Sequence, residues 1–90
     1  MITGINLPFQ FDGREFHIQV EDLPDLDTLE VRVYVGGAIL FQKRHGYEQA
    51  ILGIEGERPK EEAIRDEMTK LVKLIQAAIQ RGRIKHPEAT

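Results

Sequence analysis

Two glycines in the middle of an apolar run limit the folding of this chain more than any other feature. Leu29 to Val35 and Ala38 to Phe41 flank Gly36-Gly37. Glycine suits the tight turn of a two-residue loop, so the run folds back as an antiparallel hairpin. Tight registry pairs Val35 with Ala38, Tyr34 with Ile39, Val33 with Leu40, Arg32 with Phe41, Val31 with Gln42 and Glu30 with Lys43. Because side chains alternate between faces, Val31, Val33, Val35, Ala38 and Leu40 share one side and Tyr34, Ile39 and Phe41 the other. A single helix covers only the first set, and the second then needs a partner. A longer loop with a bulge would flip the return strand and carry Ile39 and Phe41 into the core.

A second hairpin is marked by Asp12-Gly13, which folds Ile5–Phe11 onto Arg14–Glu21. Pairing outward from that turn puts Ile5, Leu7, Phe9, Phe16, Ile18 and Val20 on one face, with Pro8, Gln10, Glu15, His17, Gln19 and Glu21 opposite. Pro8 lacks the N–H of a ladder, so its strand belongs at a sheet edge. Residues 22–27, with Pro24 and three aspartates, form the connection to the third strand, and residues 46–56 read as a further connection.

From Pro59 the spacing predicts a helix over 59–81, with Pro59 at its first position, Glu61 and Glu62 in the first turn and Gly82 at the stop. Ile64, Met68, Leu71, Ile75 and Ala78, flanked by Val72 and Ile79, form its apolar stripe. Such a helix is roughly 34 Å long and a seven-residue strand roughly 23 Å, so Leu74, Ile79 and Ile84 are expected to lack cover within one subunit. The expected fold is α+β: a four-stranded antiparallel meander (ββββα), one face packed under a long C-terminal helix. Residues 1–85 form a single domain and 86–90 a loose tail.

The chain has no cysteine, which excludes disulfides, thiolate metal sites and a cysteine nucleophile and points to the cytoplasm. No run is long enough to span a bilayer, and the N-terminus lacks the pattern of a signal peptide. The net charge of −3 is unevenly spread: residues 1–30 carry seven acids against Arg14 alone, and residues 31–90 carry eleven bases against eight acids. An uneven solvated surface accounts for this split, which could also orient a partner.

Candidate chemistry is sparse. His17, between Glu15 and Gln19, could act as a carboxylate-oriented base, but the spacing implies no nucleophile or oxyanion donor beside it, and a surface histidine is the simpler reading. His17, His45 and His86 lack metal-ligand spacing, and Asp25, Asp27 and Glu30 lack the glycine and distant glutamate of a calcium loop. No phosphate-binding glycine motif is present, and no cofactor is implied. Tyr34 and Phe41 beside Arg32, Lys43 and Arg44 offer a surface on which single-stranded nucleic acid could stack, opposed by Glu15, Glu21, Glu30 and the negative net charge.

The runs Glu15–Asp22 (EFHIQVED) and Val33–Leu40 (VYVGGAIL) resemble a family of small bacterial domains without assigned activity, in which a similar strand precedes a YVGG hairpin and then a helix. The resemblance covers roughly residues 9 to 82 and brings no catalytic residues. Where that family often has a basic or polar residue after the hairpin, this chain has Phe41-Gln42-Lys43.

The expected function is therefore that of a non-enzymatic protein-interaction domain, a homodimer or a partner of another protein. Interface candidates are Tyr34, Ile39 and Phe41 with Arg32 and His17 on the outer sheet face, and Leu74 and Ile79 on the helix flank. Edge-to-edge pairing through residues 38–44 is a third route, opposed by Lys43 and Arg44. The competing class is a small-molecule or catalytic site around His17, Arg32 and Tyr34.

Overall fold

The computed structural model describes residues 2–88. Ala89 and Thr90 of the expected tail lie outside the described residues. The strands β1 (Ile5–Phe11), β2 (Arg14–Leu23), β3 (Thr28–Val35) and β4 (Ala38–Gly46) form one antiparallel sheet in chain order. A single-turn helix α1 (Glu48–Ile51) and the long helix α2 (Glu57–Gln80) follow, giving the α+β arrangement expected.

Both tight turns have positive φ at each central residue, Asp12 and Gly13 in the first and Gly36 and Gly37 in the second. The β1–β2 ladder has the expected register, from Phe11 opposite Arg14 to Ile5 opposite Val20. The segment expected to be a plain connection contains α1, held by bonds from Ala50 and Ile51 to the Tyr47 carbonyl. Helix α2 begins two residues before Pro59. The proline is still tolerated because N–H groups of the first turn have no intrahelical acceptor to lose.

The β3–β4 register departs from the tight pairing. Val35–Ala38 and Tyr34–Ile39 pair as expected, but Val33 then faces Phe41, leaving Leu40 as the extra residue of a bulge. Beyond it, Arg32 faces Gln42 and Glu30 faces Arg44 rather than Lys43. The bulge has a physical reason. It lets the consecutive side chains Leu40 and Phe41 both pack against the core, where strict alternation would leave one of them on the outer face.

Phe16, Ile18 and Val20 of β2 and Leu29, Val31 and Val33 of β3 are buried with Ile64, Met68, Leu71, Val72, Ile75 and Ile79 of α2. Each such side chain contributes roughly 1.5–3 kcal/mol on removal from water. The helix runs along the strands, its N-terminal half near Tyr47 and its C-terminal half near Phe16, so the molecule is elongated, 48 × 22 × 16 Å. No residue of β4 is fully buried, so cover by α2 thins out toward that edge. No described helix is long and apolar enough to cross a membrane.

Candidate functional site

Alternation puts Glu30, Arg32 and Tyr34 of β3 on the outer face, beside His17, Gln19 and Glu21 of β2 and Ile39, Gln42 and Arg44 of β4. Most of this face satisfies itself. Glu30 is only 5% exposed, because Arg32 at 2.6 Å, Arg44 at 3.0 Å and Gln42 at 3.3 Å close around its carboxylate. The Arg44 hydrogen bond is the main reason its carboxyl is held below the usual range; burial opposes this, and the charge of Arg32 adds to it. The arrangement offsets the like-charge opposition of Glu21 and Glu30 in the β2–β3 ladder. Gln19 donates to Glu21 at 2.8 Å, and His17 is hydrogen-bonded to Asn6.

The residues expected to form an apolar outer patch are thus divided. Tyr34 and Ile39 lie opposite each other on this face, Ile39 with 52% of its surface exposed. Phe41 does not join them: the bulge turns it inward, where it packs at the margin of the core. The paired rings required for stacking a single strand are consequently not on one face. His17 and Tyr34 border a shallow depression with Glu15 and the two turn glycines, and Arg32 is engaged with Glu30 instead of lining it.

The helix flank also differs from expectation. Ile79 is 2% exposed and Ile84 is buried too, because the chain turns at Gly82 and packs its next residues over the end of the sheet. Leu74 remains 64% exposed. Its direction follows from helical periodicity: Glu67 lies one heptad earlier and reaches His45 of β4 at 3.2 Å, so Leu74 projects from the β4 side of α2. Val35 of β3 and Leu40 and Phe41 of β4 are half-buried at the margin of the core. Glu67 at 3.6 Å from Lys70, with Lys43 on the neighbouring strand, supplies a polar border of both signs.

At the opposite end from the two tight turns, Tyr47 is buried and donates a 2.7 Å hydrogen bond to Asp22. Burial, reinforced by the Asp22 carboxylate, pushes its phenol well above the usual tyrosine range. By the Asp12-Gly13 turn, Arg14, Phe16, Ile79, Ile84, Lys85 and His86 border a cleft. Sequence reasoning missed this second feature; its available signal was an apolar residue shortly after the helix-ending glycine.

Comparison with protein-family models, curated proteins and solved structures finds no match.

Proposed function

We propose that this chain is a non-enzymatic protein-interaction domain that pairs with a second copy of itself through the side formed by β4 and the adjoining flank of α2. The observation that carries this reading is the 64% exposure of Leu74 on the flank that faces β4, where cover of the sheet by α2 thins out. Leu74, Phe41 and Leu40 supply an apolar centre, and Glu67, Lys70 and Lys43 a polar border, which is the anatomy of an interface.

A second copy is favoured because the border carries charges of both signs, as a two-fold pairing requires when one patch meets itself. Packing over the inner margin of β4 is favoured over extension of the ladder, because the bulge at Leu40 and the charge of Lys43 blunt that edge. The lack of cysteine suits a reducing compartment such as the cytoplasm.

Sedimentation of the wild type and of Leu74→Glu tests the proposal. The wild type is expected to be a dimer at high micromolar concentration and the variant a monomer with an unchanged fold. A wild type that stays monomeric over that range overturns it.

A further inference from the structure

The cleft between the Asp12-Gly13 turn and the C-terminal end of α2 has a volume of about 190 Å³. Its apolar wall is formed by Phe16, Ile79 and Ile84, all buried. Among the described residues that line it, the polar border carries Arg14, Lys85 and His86 against one acid, Asp12. We propose that this cleft is a binding site for a small monocarboxylate with an aromatic or branched aliphatic body, the body lying against Phe16, Ile79 and Ile84 and the carboxylate meeting Arg14 and Lys85.

Size and charge both select this class. An apolar cavity of about 150 Å³ accepts benzene, so the cleft accommodates one ring or a short branched chain but not a nucleotide. Among the described residues the Arg14 guanidinium makes only long contacts, 3.4 Å to Asp12 and 3.4 Å to the Glu88 carbonyl, which a carboxylate in the cleft can replace with shorter charged bonds. Lys85 has no charged partner within 4.0 Å among the described residues.

The nearby helix end does not oppose an anion. The carbonyls of Ala77, Ala78 and Ile79 accept N–H groups from residues 81–84, and the cations Arg81 and Arg83 follow directly after the last turn, which itself holds no base. His86 completes the border. Its ring packs edge-on against Phe16 with centroids 5.5 Å apart, and its Nδ1 accepts the Glu88 N–H, which leaves Nε2 as the donor of the neutral ring.

The test is an NMR titration of amide shifts in the whole chain with benzoate and isovalerate, and separately with benzyl alcohol and inorganic phosphate. Both carboxylates are expected to give saturable shifts at residues 13–16 and 82–86, with benzyl alcohol and phosphate each about tenfold weaker. Arg14→Gln is expected to weaken benzoate by about tenfold and the exposed variant Lys85→Gln by a few-fold. Absence of saturable shifts up to about 10 mM, a range that covers weak fragment-sized ligands, overturns the proposal. So does equal binding of benzyl alcohol or of phosphate, or undiminished affinity in Lys85→Gln.

Discussion

Phe41 faces Val33 across the β3–β4 ladder, with Leu40 left over as the bulged residue beside them. The ring therefore sits on the helix side of the sheet, and Ile39, two residues earlier, on the solvent side. A pair of alanine substitutions separates these environments. Phe41→Ala is expected to cost about 2 kcal/mol, below the range for a fully buried phenylalanine because the ring is only half covered. Ile39→Ala is expected to cost less than about 1 kcal/mol, given its exposure of 52%. Denaturant unfolding of both variants is the measurement. Equal costs would place the two side chains in equivalent surroundings and contradict the bulge.

The same bulge marks where the sequence stopped being informative. Asp12-Gly13 and Gly36-Gly37 were legible because positive φ at consecutive positions is nearly a glycine and asparagine or aspartate requirement, and the β1–β2 pairing followed from it. Ile39, Leu40 and Phe41 are consecutive apolar residues, so alternation alone gives no preference between a strict ladder and a slipped one. The burial of Glu30 was hidden for a related reason: an acid on a solvated face looks exposed until Arg32 and Arg44 are seen to fold over it. The helix stripe was plain, but the fate of Ile79 and Ile84 depended on the turn at Gly82, a tertiary event.

Glu30→Gln removes the charge that gathers Arg32 and Arg44. The loss is expected to be about 1 kcal/mol near neutral pH and smaller at high salt. Arg44, more than any other group, holds the folded-state value of Glu30 below that of the unfolded chain. Its stabilisation is thus complete above the unfolded value of about 4.3 and is lost as pH falls through the folded one. Unfolding free energies of wild type and variant should converge as acid is added. A constant difference down to pH values of about 2 would remove Glu30 as a source of the acid dependence.

Tyr47→Phe keeps the buried ring and deletes the bond to Asp22, at an expected cost of about 1–2 kcal/mol. The phenol is also a source of alkaline sensitivity. Its folded value is raised, by burial first and Asp22 second, so its contribution is complete below the unfolded value of about 10 and declines as pH rises toward the folded one. Between those limits the unfolded chain releases a proton that the folded chain retains. Stability of the wild type should fall more steeply above pH about 10 than that of Tyr47→Phe, as measured by chemical denaturation at stepped pH.

Association through Leu74 has a thermodynamic signature independent of mass. If only the folded protomers pair, mass action raises the midpoint of thermal unfolding with protein concentration, by roughly 5 °C for a hundredfold increase in a domain of this size. Leu74 is exposed and contributes little to the fold of one subunit, so Leu74→Glu should match the wild type at low concentration and show no rise. Phe41→Ala should lower the midpoint at every concentration, because its ring belongs to the core margin as well as to the proposed contact. That contrast distinguishes loss of association from loss of folding. A midpoint in the wild type that does not depend on concentration, across a range where sedimentation reports a dimer, would mean that the contact contributes no stability and that Leu74 is not at its centre.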